Sequence, residues 1–510
     1  MVRQTLVAAL LCVALPAAAA DVRFDGSYRL RLNDDTNQTL DETGFATGQR
    51  NYLSHRLRLT PKIIEMDEKG SGIEVQASFD LVGGIFAGDV AQDFRGFGDV
   101  NLSQRNGFSG NGFQFRHLFT QIRFPTGVVQ LGQMPADWGM GMLINSGEGE
   151  NVTDFGDPGF GDIVERLLFA TRPFGRFFGP GSSLGRSLAV AVGADVIYSD
   201  RYAQLIIPNG GGLQWGDAAL EALAALIYDP GDKTRAEFYV SRRVQNYAEG
   251  QGDLHFWTFD AHFRYADAVS ALDGTVLSVE GEAAELYGGT SHAANLGAPG
   301  AARISQQGAV LRVLAARSAV EAEVEGGYAS GDANPFDDQS NQFQMSRDYK
   351  VGLVLFDRVL LFQSQNAARR LSDPALFGRP PPGLDFLPTE GAVANALYLK
   401  PTLRWKPRLG ANSFRFVASV LFAHAPEPLV DPYHFFISSS AQNSFGRAAG
   451  QNYGIELDGA AGYSARLFDQ FGLETGIQFG YLLPGNAFTT QTGARMPAQR
   501  ALRLRATITF

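Results

Sequence analysis

A chain of 510 residues with a formal net charge of −10, 45% hydrophobic residues, 59 glycines, 38 phenylalanines and one cysteine cannot rely on disulfides for its order. Its acidic balance, with no basic cluster standing apart from the strands read below, argues against nucleic-acid binding. No segment supplies the roughly 20 mainly apolar residues that a spanning helix needs: VGLVLFDRVLLF is broken by Asp357 and Arg358, and ALEALAALIY carries Glu221 and ends at Asp229-Pro230.

The first twenty residues place Arg3 before an apolar run from Leu6 to Leu15 and a small-residue triplet, Ala18-Ala19-Ala20. That is the layout of a secretory signal peptide, with cleavage expected before Asp21 and Cys12 lost with it. From Val22 the chain alternates: Val22, Phe24, Tyr28, Leu30 and Leu32 against Arg23, Asp25, Arg29, Arg31 and Asn33. Period two means a strand with one apolar and one charged face. The pattern returns in NYLSHRLRLTPKI, IEVQASFDL, VVQLGQM, LAVAVGADVIY, RAEFYVSRR, FWTFDAHFRY and TVLSVEGEA. It continues through VEAEVEGGY, LYLKPTLRWK, FRFVASVLF, YGIELDGAAGY, FGLETGIQFGYL and ALRLRATITF, and less cleanly in QFRHLFTQIRF and IVERLLFATR.

Short turns such as MDEKGSG, FPTG and RLFDQ alternate with long polar stretches at 34–50, 87–113, 135–162, 288–304, 331–348 and 426–449. Short periplasmic turns and long outer loops are the habit of transmembrane barrels. The expected fold is therefore all-β: a transmembrane antiparallel up-and-down β-barrel of about 18 strands, with 16 or 20 as alternatives. Residues 21–510 form one barrel domain, and 331–392 a large outer loop region that includes a lid element if YKVGLVLFDRVLLFQS does not add two strands. On this topology Phe24, Phe124, Trp405, Tyr463, Phe471 and Phe510 fall at the periplasmic interface, where aromatic rings collect. A soluble β-sandwich would also alternate, but it has no reason to place rings at that level.

The last strand sets Leu502, Leu504, Ala506, Ile508 and Phe510 against Arg503, Arg505, Thr507 and Thr509. This resembles the terminal signal that delivers outer-membrane proteins to the barrel-assembly machinery, which the resemblance implies as a partner in biogenesis, with outer-membrane lipid and lipopolysaccharide as surroundings in a Gram-negative cell. SYRLRL, VQLGQMPADWGMGMLI, GGYASGDANPFDD, YGIELDGAAGY and FGYLLPGNAF together resemble the alginate-export and porin-like family. That likeness implies the barrel and a transport role.

Closure puts the first, second and last strands side by side, so their inward Arg29, Arg31, Arg56, Arg58, Arg503 and Arg505 would form a basic wall lining the pore. Across the barrel Glu280, Glu282, Glu321, Glu323 and Glu325 would form an acidic one. Arginine rings and ladders favour anions, so the expected function is a porin-like channel for small anions or an anionic polymer. The alternatives are charges that pair and close the lumen, or a non-conducting barrel for adhesion, surface display or hydrolysis at its rim. No hydrolase elbow, zinc-protease or phosphate-loop motif is present, the seven histidines are scattered, and no cofactor is implied. Asp332, Asp337 and Asp338 in GDANPFDD are candidate oxygen ligands for calcium, against the reading of a solvated turn. PADWGMGMLINSGEGE either folds inward as a constriction with Trp138 at its root or leaves Trp138 as an anchor at the outer interface.

Overall fold

The computed structural model describes residues 20–36, 49–68, 70–88, 114–148, 154, 161–179, 182–203, 218–231, 233–247, 252–269, 274–292, 301–377 and 383–510. The expected signal peptide, apart from Ala20, most of the stretches 34–50 and 87–113, and residues 293–300 of the stretch 288–304 lie outside them.

Eighteen strands follow one another around a closed barrel: β1 Asp21–Thr36, β2 Gln49–Met66, β3 Gly72–Gly88, β4 Gln114–Phe124, β5 Gly127–Ala136, β6 Asp162–Thr171, β7 Leu188–Ser199, β8 Ala218–Tyr228 and β9 Thr234–Asn246. The remaining nine are β10 Asp253–Val269, β11 Thr275–Thr290, β12 Ala302–Arg317, β13 Val320–Ala329, β14 Ala396–Trp405, β15 Asn412–His424, β16 Asn452–Phe468, β17 Phe471–Pro484 and β18 Gln499–Thr509. Each pairs antiparallel with its sequence neighbours, and β1 pairs with both β2 and β18, so no open edge remains.

The alternation decides the two faces. Val192, Leu220, Phe238, Leu311, Leu397, Leu403 and Ile477 are exposed on the outside, a contiguous apolar belt that a water-soluble surface would not carry. At the periplasmic end, rings meet across strands: Trp405 and Phe416 at 5.2 Å, Phe414 and Tyr463 at 5.2 Å, Phe124 and Phe169 at 6.2 Å, Phe471 and Phe510 at 6.0 Å. Phe510 also seals the seam, exchanging backbone hydrogen bonds with Gly26 at 2.7 and 3.0 Å. Leu504 and Ile508 face outward beside it. One periplasmic connection is longer than the rest, the 172–187 segment with helical turns at Gly175–Phe178 and Ser183–Ser187.

The interior is filled by two connections that fold inward. One runs from Asp137 toward β6. The other joins β13 to β14 and contains a π-helical turn, Leu355–Leu360, that runs into helix α1, Leu361–Leu371. YKVGLVLFDRVLLFQS is thus no strand, and the lid expected on the outside is a plug on the inside. Val351, Leu353, Val354, Leu355, Phe356 and Leu360 pack against inward Leu286, Ile304, Val310, Val417, Leu421, Tyr453 and Leu482 of the wall. At about 1.5–3 kcal/mol for each large apolar side chain taken from water, this segment is far better placed against that patch than above it.

Candidate functional site: two adjoining chambers in the lumen

The plug leaves space against β6 to β12. Two cavities of about 170 and 100 Å³ adjoin there, the outer one beneath the loops and the inner one deeper, and Arg201, Tyr202, Phe386 and Thr389 line both. These four residues form the neck between them. Local chemistry fixes Tyr202: Asp200 follows β7, and its Oδ1 accepts from the amides of Tyr202 and Ala203 at 2.8 Å each, an Asx turn. Gln245, inward on β9, donates to the Tyr202 carbonyl at 3.0 Å. Phe386, on a 3₁₀ turn of the plug, meets Tyr202 and His292 edge-on at 5.3 Å each, and His292 stacks on Tyr247 at 3.7 Å.

The inner chamber is lined by Arg166, Arg201, Arg243 and Arg347 among Asp162, Asp195, Asp200, Glu221 and Glu390. Most of these charges are spent on one another. Arg166 grips Asp195 at 2.8 and 2.6 Å, Arg243 holds Asp200, and Arg347 reaches Glu390 at 2.7 Å. The Tyr239 hydroxyl donates to Glu221 at 2.5 Å, and Asp162 accepts from the Asn145 amide at 2.9 Å. Arg201 differs. It lies over the Tyr202 ring at 5.0 Å and, among the described residues, contacts no carboxylate. Desolvation lowers the affinity of its guanidinium for the proton, a cost that an anion beside it would offset.

The structure brings the six arginines of the expected basic wall together. Arg29 stands opposite Arg56, and Arg31 opposite Arg505, with Arg58 and Arg503 on the same contiguous strands. Four of them do not face open solution, for Arg29, Arg31, Arg58 and Arg503 are buried, while Arg56 and Arg505 are half-buried. Arg58 makes a two-pronged pair with Asp80 at 2.7 and 3.0 Å and reaches Glu148 of the first in-folded loop at 2.6 Å. Arg503 binds Asn33 at 3.0 Å and approaches Asp357 of the plug, which also pairs with Lys350 at 2.6 Å and Arg358 at 2.9 Å. Arg58 and Arg503 thus seat the in-folded loops.

The five glutamates are likewise engaged. Glu325 takes Arg312 at 2.7 Å and the Tyr398 hydroxyl at 2.8 Å, Glu323 takes Arg404 at 2.9 and 2.8 Å, and Glu321 takes Lys406 at 2.6 Å. Glu280 meets His262 at 3.2 Å, while Glu282 accepts backbone amides of the first in-folded loop. The partners sit on adjacent strands, so the signs do mix along the wall. Trp138 packs inside on Tyr239 at 5.3 Å, at the root of an inward loop and away from the outer interface.

At Asp332 the two oxygens accept from the amides of Asn334 and Asn341 at 3.0 Å each, and Asp337 accepts from Gln339 at 2.8 Å. These carboxylates shape turns; Asp338 contributes its carbonyl, to Arg303 at 2.8 Å. Among the described residues no three acidic, histidine or cysteine side chains gather where they could hold a metal. The neck was not legible in the sequence, because Arg201 and Phe386 lie on connections without periodicity. The Asp-Arg-Tyr run after a clean strand is the one local signal, an Asx turn in waiting.

No protein-family profile and no curated relative matches the sequence. Solved structures do. Pseudomonas aeruginosa OccK9 (OpdG) aligns with a TM-score of 0.54 at 10% identity, covering 96% of this chain and 98% of its own. Pseudomonas aeruginosa OpdK, solved with vanillate, gives 0.53 at 9% over 96% and 98%, and Acinetobacter baumannii OccAB4 gives 0.51 at 9% over 97% and 100%. At such identities the likeness shows the fold alone, a closed 18-stranded antiparallel barrel. It gives no support to the alginate-export resemblance of the strand and turn motifs.

Proposed function

We propose that the chain is an outer-membrane channel that admits small anionic solutes through the two chambers, with Arg201 at their neck as the selecting residue. One observation carries this: among the described residues, the neck holds the single guanidinium of either chamber with no carboxylate in direct contact. Fixed positive charge in a constricted, partly desolvated passage favours anions. Cavities of about 170 and 100 Å³ are of the size that admits a single ring, so a small solute fits better than a polymer. The neighbour solved with vanillate makes a monocyclic solute a natural first probe, and the fold's company of porins supports transport over catalysis.

The arginines of β1, β2 and β18 and the glutamates of β11 and β13 act in this reading by seating the loops and shaping the field. The outer belt meets outer-membrane lipid and lipopolysaccharide, and Leu502, Leu504, Ile508 and Phe510 meet the barrel-assembly machinery. Planar-bilayer recording under a salt gradient tests the proposal. Anion preference is expected, reduced several-fold by Arg201→Ala; absence of conductance, or cation preference in the unaltered protein, overturns it.

A further inference from the structure

Both in-folded connections are attached to the wall in the same way. On β16 the carboxylate of Glu456 accepts three successive backbone amides of the plug, Leu353 and Val354 on Oε1 and Leu355 on Oε2, each at 2.7 Å. Leu355 opens the helical run 355–371 and Val354 is its N-cap, so their amides have no partner within that run, and Leu353 precedes the cap. On β11, well away around the barrel, Glu282 accepts the amide of Met140 together with those of Met142 at 3.4 Å and Leu143 at 3.3 Å. Successive amides turned toward one anion form a nest.

A glycine immediately precedes each nest and allows the carboxylate its approach. A Cβ at Gly352 would lie 2.6 Å from Oε1 of Glu456, and one at Gly139 would lie 2.6 Å from Oε2 of Glu282. Two loops of unrelated sequence, on different strands, therefore use one device. Each wall glutamate is buried, and so is the loop residue beside it, Val354 or Met142, at 0% exposure.

We infer that Glu282 and Glu456 are positioning residues that act as two independent pins, each holding one constricting loop and together setting the bore. The attachment itself stands on the hydrogen bonds alone; that it sets a bore rests on the channel reading above. Removing one pin strips three amides of their acceptor, and buried amides without partners return to water. The loop that carries them then leaves the wall while its counterpart stays.

The experiment uses the full-length chain with Cys12→Ser, to which Val354→Cys or Met142→Cys is added, in folded barrels whose heat-modifiable mobility on gels is intact. Labelling by a water-soluble maleimide is expected to be slow at both positions. Glu456→Ala should speed labelling at 354 at least tenfold and leave 142 unchanged; Glu282→Ala should do the reverse. Labelling unchanged in both variants overturns the pins, and so does a rise at both positions together, which would mean general loosening. Bilayer conductance is the second readout, with each variant expected to conduct more than the parent. A parent that never conducts sinks the channel reading and leaves the labelling test standing, whereas a conducting parent with unaltered labelling patterns sinks the pins alone.

Discussion

Arg58 illustrates at the residue scale how a lumen charge becomes a structural one. Its side chain is 9% exposed and engages Asp80 through both prongs, so Arg58→Ala leaves Asp80 buried without its paired guanidinium. Loss of one partner of a buried pair costs about 3–5 kcal/mol. Reversible urea unfolding in detergent should show a fall of that order, and Arg58→Lys should recover only part of it because an ammonium cannot make the two-pronged contact. Glu148 joins the same cluster from the loop side. Burial alone would raise its carboxyl, but Arg58 and Arg116 outweigh that and hold it below the usual 4.5. A depressed carboxyl contributes stability above its unfolded value and loses it as pH falls through the folded one. Docking of the first loop should accordingly be flat from neutral pH down to about 4.5 and weaken only in stronger acid, which conductance measured against pH would show. A loop that loosens between pH 8 and 6 would contradict this.

The strand is the element at which the sequence was most readable, and its failures are as physical as its successes. Alternation marks a strand when one face meets lipid and the other a polar interior, as in β1 with Leu30 and Leu32 against Arg29 and Arg31. Strands β8 and β12 escaped that pattern. In β12 the inward Ile304 and Val310 are as apolar as the outward Leu311 and Val313, because the plug covers them. In β8 the inward Leu223 and Ala225 are buried in a small apolar cluster against which Trp138 and Ile144 pack. Strand number was still recoverable from the parity of long and short connections. The neck was not, since its residues are brought together by turns and by a plug whose fold depends on the wall. One seam contact is a test of element-scale reasoning: a Cβ at Gly26 would lie 2.4 Å from the Phe510 ring. Gly26→Val should slow closure of the barrel refolded from urea into detergent, read as a lower fraction of the compact, heat-modifiable form, and Phe510→Ala in the same chain should restore part of it.

At the scale of the whole molecule, barrel and plug are separable in principle, because the wall closes through backbone hydrogen bonds among eighteen strands and none of the eighteen belongs to the plug. Replacing residues 333–394 by a short glycine-serine linker should leave a barrel that resists unfolding in detergent and conducts more than the parent. A variant that no longer assembles would show instead that the plug is part of the folding nucleus. The patch that the plug covers has a further consequence. Leu286, Ile304, Val310, Val417 and Leu421 would become the lining of an aqueous bore, and apolar linings expel water from narrow passages. The emptied barrel should therefore flicker between wet and dry states, conducting less on average than its width allows. Val417→Ser with Leu421→Ser should steady the current without widening the bore, a sign that the plug also keeps the passage wet by hiding a surface that water avoids.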